Sequence, residues 1–124
     1  MLARSLRRTT ACCITQSAVY EVAIKFNDVS ISKQYQRWLS DHHVKEVLEF
    51  PGFISAELLT TYANKSAGTE NGIVVRYILE SPSVFDEYDK SDVAKKLRAD
   101  AIARFQDKFT ATRRVLVSDE VIYK

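Results

Sequence analysis

Both histidines of the chain, His42 and His43, lie side by side in the segment 38–53. Imidazole exchanges protons near neutral pH, so His43 is a candidate general acid or base, or a ligand contact over a pocket. The alternative is a histidine packed at a helix kink and hydrogen-bonded locally, which is the more common role. No metal site is expected, because adjacent helical side chains diverge by about 100° and His42 with Glu46 supplies only two ligands.

Charged residues inside predicted strands form a second group of candidates. Glu57 and Arg76 would face each other across neighbouring strands in one register, where an exposed ion pair is the ordinary interpretation. The alternative is a polar anchor at the bottom of a cavity between two facing sheets. Trp38 is either core or a stacking surface, and core is the commoner role. The candidate ligand-binding residues are therefore Trp38, His43, Glu57, Arg76 and Arg113.

Composition excludes several common functions. The chain has only three glycines, so it has no Gly-rich phosphate loop, and it lacks a Gly-x-Ser-x-Gly elbow. Residues 20–124 hold 15 Lys and Arg against all 16 acids, which is not the positive field of a nucleic-acid binder. The strand at 72–80 also has one aromatic residue where an RNA-binding sheet would have several. We expect neither a nucleic-acid partner nor a cofactor.

Alternating and β-rich stretches predict four strands, at 19–27, 53–63, 72–80 and 109–117. A helix is expected between the first two strands and ends at Pro51-Gly52. Its apolar spacing slips between Leu39 and Val44, which predicts a kink or two short helices near the histidines. A second helix begins after Ser81-Pro82-Ser83 and continues to Phe105, with Ser91 as a possible internal cap. The segment 64–71 is predicted to be a hairpin loop, and 121–123 could extend the last strand.

The element order β-α-β-β-α-β predicts an α+β, ferredoxin-like fold. Its four-stranded antiparallel sheet would have the first and third strands at the centre and two helices on one face. The other face would be bare, with Val74, Ile78 and Ala23 exposed on it. Because a bare apolar sheet face usually has a partner, we expect a homodimer. The alternative is a monomer whose open face is covered by residues 119–124 or by long Arg and Lys side chains.

Residues 1–18 differ in composition from the rest of the chain. They contain Arg4, Arg7 and Arg8 and no acid, which is typical of a mitochondrial transit peptide. Both cysteines, Cys12 and Cys13, fall in this tail and would leave with it. The folded domain is therefore expected at 19–124 and the location in the mitochondrial matrix. No apolar run approaches the roughly 20 residues of a membrane span.

Deleting residues 1–17 is expected to leave thermal stability unchanged while abolishing mitochondrial import, because this tail has nothing to bury and carries the targeting charge. Import of the tagged full-length chain and of the tagged tailless chain into isolated mitochondria measures the effect of the deletion on targeting. Entry of the tailless protein would contradict the targeting hypothesis.

Six segments of the chain occur in an order that is found elsewhere: Trp38-Leu39, His43 to Leu48, Gly52-Phe53, Ala94 to Asp100, Arg104-Phe105 and Phe109 to Arg113. Over residues 19–117 they resemble a family of short, mostly bacterial proteins, the domain of unknown function 4286. The chain departs from the family pattern at Lys45, where proline is favoured, and at Phe50-Pro51-Gly52, where Thr-Gly is favoured. The resemblance implies a ferredoxin-like domain related to dimeric α/β-barrel proteins, and no activity.

Two functions fit these observations. The first is a mitochondrial homodimer that is non-catalytic or binds a small ligand. The alternative is a cofactor-free enzyme acting on a small apolar molecule between sheet and helices, with His43 transferring a proton and Arg76 or Arg113 holding an anion. A filled sheet face would favour the first function, and an open cavity that reaches His43 would favour the second.

Overall fold

The computed structural model describes residues 16–61 and 72–124. These residues form a four-stranded antiparallel sheet in the order β2-β3-β1-β4, with all helices on one face. The predicted ferredoxin-like α+β fold is confirmed. The strands are β1 (Ala18–Phe26), β2 (Phe53–Thr60), β3 (Gly72–Leu79) and β4 (Phe109–Val117).

The first helical region is broken near the histidines, as the slip in apolar spacing predicted. Asp28 caps a short 3-10 turn by accepting a hydrogen bond from the Ser30 amide at 3.0 Å. The region continues as α1 (Ser32–Trp38), a π-helical turn (Leu39–His43) and α2 (Val44–Leu48).

The second helical region is two helices, α3 (Pro82–Lys90) and α4 (Asp92–Phe105), where the sequence predicted one. Ser91 separates them because its backbone is extended, with ψ of 155°. Its hydroxyl donates to the Tyr88 carbonyl at 2.6 Å and accepts from the Ala94 amide at 3.1 Å. This serine therefore ends one helix and caps the next.

The first and last residues of most helices and strands lie close to the predicted positions. The segment 64–71, predicted to be a hairpin loop, and the residues before Gln16 lie outside the described part of the chain. Residues 121–123 do not extend β4, contrary to one prediction. They have no regular structure and are 62–85% exposed. No helix among the residues described is long and apolar enough to cross a membrane.

Pro51-Gly52 ends α2 in a turn that only glycine fits. Gly52 has φ of +95°, a conformation that side chains with a Cβ rarely adopt. A Cβ there would also lie 2.5 Å from Cγ2 of Val84 on α3. The turn therefore allows α3 to pack directly against the start of β2.

The core lies between the sheet and the helices. Alternate residues of β3, namely Ile73, Val75, Tyr77 and Leu79, are buried on this inner face, as predicted. Val74 and Ile78 lie on the opposite, open face and are half-buried. The helices contribute Tyr35, Trp38, Leu39, Val44, Val47, Val84, Tyr88, Ala94, Leu97, Ala101 and Phe105 to the core.

Candidate functional site

A cavity of about 820 Å³ remains between the inner sheet face and the helices. Its volume is within the range of small-molecule sites, about 300–1,000 Å³. We call this space the inner cavity. It is bounded by aliphatic and aromatic residues together with a few polar groups: Tyr20, Val22, Ile24, Tyr35, Leu39, His43, Val47, Val75, Tyr77, Tyr88, Arg98, Ala101, Ile102, Gln106, Asp107, Phe109, Ala111 and Arg113.

The first helical region presents only one of the two histidines, His43, to the inner cavity. The Val44 amide bonds to the Leu39 carbonyl, so the π-helical turn contains one residue more than an α-helical turn. Leu39, His43 and Val47 are spaced four residues apart, share one face and all line the inner cavity. His42 points away and lines a shallow groove on the outer side of the helices.

His43 is packed in a way that keeps its ring neutral. The imidazole stacks on the Trp38 indole, with ring centroids 4.6 Å apart. Burial lowers the pKa of His43 from 6.5 to about 4; the Asp100 charge opposes this shift and the Arg113 charge reinforces it. Its Nδ1 is buried and has no hydrogen-bond partner among the described residues. At neutral pH the ring is therefore uncharged, and it retains one nitrogen without a partner among the described residues.

Arg98 on α4 is a polar cavity residue that the sequence analysis missed. Its Nη2 contacts Asp89 Oδ1 at 2.8 Å and donates to the Tyr20 hydroxyl at 3.4 Å, while its guanidinium lies 5.9 Å from the centre of the Tyr88 ring. Its Nε is buried without a partner. The spacing Ala94, Arg98, Ala101 places this arginine on the buried stripe of α4, and that was the available signal.

Two buried side-chain atoms lack a hydrogen-bond partner within the described part of the chain, and both belong to residues of the inner cavity. They are Nδ1 of His43 and Nε of Arg98. A buried polar group without a partner costs about 1–3 kcal/mol, so native proteins rarely retain one without a reason. Neighbouring atoms cover both nitrogens, so they lie beside the cavity and are not part of its open surface.

Arg113 and Arg114 are adjacent but lie on opposite faces of the sheet. Arg113 is opposite Val22 on the inner face and lines the inner cavity. Arg114 is opposite Glu21 on the open face and contacts its Oε2 at 2.8 Å. This arrangement explains why β4 lacks a clean apolar alternation, and it gives the cavity a second cation.

The tyrosines around the inner cavity are neutral hydrogen-bonding groups. Burial raises the pKa of Tyr35 and Tyr77 far above the usual value, and that of Tyr88 to about 12, with the Tyr20 neighbour adding to the shift at Tyr88. At neutral pH their hydroxyls therefore keep their protons. The arginines and the exposed Asp107 are the charged groups of this cavity.

Glu57 and Arg76 are opposite each other in the sheet register, but they lie on the open face. Arg76 forms its ion pair with Glu21 at 3.0 Å instead of Glu57. The Arg114 hydrogen bond lowers the pKa of Glu21, burial opposes that effect, and the Arg76 hydrogen bond adds to it. The structure therefore does not bring Glu57 or Arg76 together with His43, and Arg76 cannot hold an anion in the inner cavity.

Trp38 is buried behind His43 and does not line the inner cavity. Its ring meets Tyr35 and Phe105 edge-on, and the Arg104 guanidinium lies 5.7 Å from its centre. Of the candidate ligand-binding residues, the structure thus places only His43 and Arg113 in the inner cavity, with Trp38 as the support of His43. No cluster of three metal-ligating side chains occurs in residues 16–61 and 72–124.

The profile of a protein family described as Domain of unknown function (DUF4286) matches residues 17–118. The chain belongs to this family. This DUF4286 protein has no match among curated proteins. Its fold does match many solved structures, and three of them are described next.

The solved structures share the fold of this DUF4286 protein at low sequence identity. SnoaB, a cofactor-independent oxygenase from Streptomyces nogalater, has a TM-score of 0.55 at 12% identity, over 89% of this chain and 100% of that one. A dimeric ferredoxin-like protein from an uncultured marine organism has a TM-score of 0.62 at 9% identity, over 87% and 99%. A putative monooxygenase from Shewanella loihica has a TM-score of 0.56 at 15% identity, over 90% and 100%.

Proposed function

We propose that this protein binds a small, mainly apolar molecule in the inner cavity. The observation that carries the proposal is a cavity of about 820 Å³ whose mostly apolar lining includes the polar side chains of His43, Arg98 and Arg113. Apolar walls would supply most of the binding energy, and the few polar groups would orient the ligand.

A second candidate is cofactor-free catalysis in the same cavity. The inner cavity is open and reaches His43, and catalysis by this histidine requires such an arrangement. The neutral imidazole would accept a proton from an acidic position of the bound molecule and return it to another, while Arg98 or Arg113 stabilises the intermediate anion. The likeness to a cofactor-independent oxygenase supports this candidate through the fold only.

We further propose that two copies pair through their open sheet faces. The central row of that face is a ladder of alternating charge, Glu57, Arg76, Glu21 and Arg114, and the next row contains Leu59, Val74, Ala23 and Thr112. The C-terminal residues 119–124, which were the alternative cover of this face, are themselves exposed. The dimeric ferredoxin-like neighbours support this pairing.

Replacing Ala111 with phenylalanine tests the binding site. Ala111 on β4 is opposite Ile24 on β1 and lines the inner cavity. A phenyl ring at this position would occupy the ligand's space. We use N-phenyl-1-naphthylamine, an uncharged aromatic probe whose fluorescence rises in apolar surroundings. The native protein should bind one probe per chain, and A111F should weaken binding by about 30-fold or more, the equivalent of about 2 kcal/mol.

The matched control is Ala103→Phe, which adds the same ring to an exposed alanine of α4 outside the inner cavity. It should bind the probe like the native protein. Circular dichroism and thermal unfolding establish that both variants are folded. Absence of saturable binding to the native protein, or equal affinity for A111F, would contradict the proposal.

A further inference from the structure

We propose that Arg98 is the anion-binding residue of the inner cavity, so that the ligand carries a single oxyanion such as a carboxylate or sulfonate on an apolar body. This inference rests on the proposed function. It adds the chemical class of the ligand and a binding residue that composition and spacing did not identify.

The Arg98 guanidinium is held in place from one side. Asp89 bonds to Nη2 at 2.8 Å, and the Tyr20 hydroxyl accepts from the same nitrogen at 3.4 Å. The Tyr88 ring lies beside the guanidinium carbon at 5.9 Å. These three contacts restrict the side chain, so a ligand would not need to order it on binding.

The remaining donors of this guanidinium suit an oxyanion. The Asp89 and Tyr20 contacts both use Nη2, and a planar guanidinium binds carboxylates and similar groups through N–H donors in one plane. A hydrogen bond between a cation and an anion is roughly twice as strong as a neutral one. A neutral acceptor would satisfy the donor but would not use the charge.

Charge balance in the inner cavity favours one anionic group. Arg98 and Arg113 are the cations of the lining, and Asp107 is its carboxylate. Asp89, the ion-pair partner of Arg98, is not part of the lining, and its side chain is 46% exposed. Asp89 therefore offsets the Arg98 charge only through a solvated contact. The aromatic residues near Arg98, Tyr20 and Tyr88, would contact the apolar body of the ligand.

Arg113 is less suited to the same role. It is exposed on the edge strand β4, whereas only 28% of the Arg98 side chain is exposed. An exposed cation is screened by water and salt, so it adds less to the affinity for an anion. We assign Arg113 a long-range contribution and Arg98 the direct bond.

Two dyes with the same aromatic framework test the assignment. The probe 8-anilinonaphthalene-1-sulfonate carries a sulfonate, and N-phenyl-1-naphthylamine is the same molecule without it. Arg98→Gln should weaken sulfonate-dye binding by about 10- to 30-fold, which corresponds to one charge-assisted hydrogen bond, and change the neutral dye by less than about twofold. Asp89→Asn removes the carboxylate that offsets the Arg98 charge and keeps an oxygen that can accept from Nη2, so it should strengthen sulfonate-dye binding by about threefold with the neutral dye unaffected.

Arg104→Gln is the matched control, because Arg104 is also on α4 and lies outside the inner cavity. It should leave both affinities unchanged, and A111F should weaken both by about 30-fold or more. Near-ultraviolet circular dichroism confirms native packing, and Asp89→Asn provides the test if Arg98→Gln does not fold. Equal loss of both dyes in Arg98→Gln, or no loss of the sulfonate dye, would overturn the role of Arg98 while ligand binding stands. Failure of the neutral dye to bind the native protein would overturn the proposed function instead.

Discussion

Val74→Asp is expected to convert a two-chain particle into a single chain without loss of secondary structure. Val74 is near the centre of the open face, opposite Ala23 on β1 and Leu59 on β2. In one isolated chain the new carboxylate would remain in contact with water. In a face-to-face pair it would be desolvated in both copies, at a cost of several kcal/mol for each charge.

The pairing energy is of the same order as this penalty. Burying a few hundred Å² of apolar surface stabilises a pair by several kcal/mol at about 25 cal/mol per Å², before association costs are subtracted. The two charges of a V74D pair would exceed that surplus. Light scattering of the full chain at micromolar concentration, with a reductant for Cys12 and Cys13, measures the mass directly.

Val93→Asp is the matched control, since it places the same charge at a valine of α4 that is 45% exposed and distant from the open face. This variant should keep the mass of two chains. A single-chain mass for the native protein would contradict the dimer, and a two-chain mass for V74D would show that pairing uses another surface.

Acidification should destabilise the protein through His43. Burial lowers the pKa of His43 from 6.5 to about 4, so the unfolded chain binds the proton more readily than the folded one. The contribution to stability is complete above pH 6.5 and is lost as the pH falls from about 6.5 towards 4. The free energy of unfolding should decrease by about 2 kcal/mol between pH 7 and pH 5, and by about 3 kcal/mol by pH 4, as linkage requires.

His43→Phe retains a ring against Trp38 and removes the titrating group, so its unfolding free energy should be nearly constant from pH 7 to pH 5. His42→Phe changes the neighbouring, exposed histidine and should preserve the native pH dependence. Urea unfolding at each pH measures these values. A native protein whose stability is flat between pH 7 and pH 5 would mean that the pKa of His43 is the same in the folded and the unfolded chain, and would contradict its burial. Folding lowers the pKa of Glu21, so this carboxylate also stabilises the folded chain. That contribution is lost only at a pH more acidic than the range in which His43 acts.

Periodicity in the sequence was enough to predict the sheet and its two faces. The alternation in β1 and β3 reflects backbone geometry that is local, so Ile73, Val75, Tyr77 and Leu79 could be assigned to one face before any partner strand was known. The strand order followed from the element order and the handedness of the connections. The slip between Leu39 and Val44 likewise located the break in the first helical region.

Tertiary structure alone decided which polar groups meet. Whether Arg113 or Arg114 faces inwards depends on the register of β4 against β1, and the adjacent arginines make either register consistent with the pattern. Glu57 and Arg76 did oppose each other, but Arg76 bonds to Glu21, which is 55 residues away in sequence. Arg98 could be recognised as a binding residue only after Asp89, Tyr20 and the inner cavity surrounded it. Local spacing determines which face of an element a side chain occupies, whereas long-range packing determines what that face encloses.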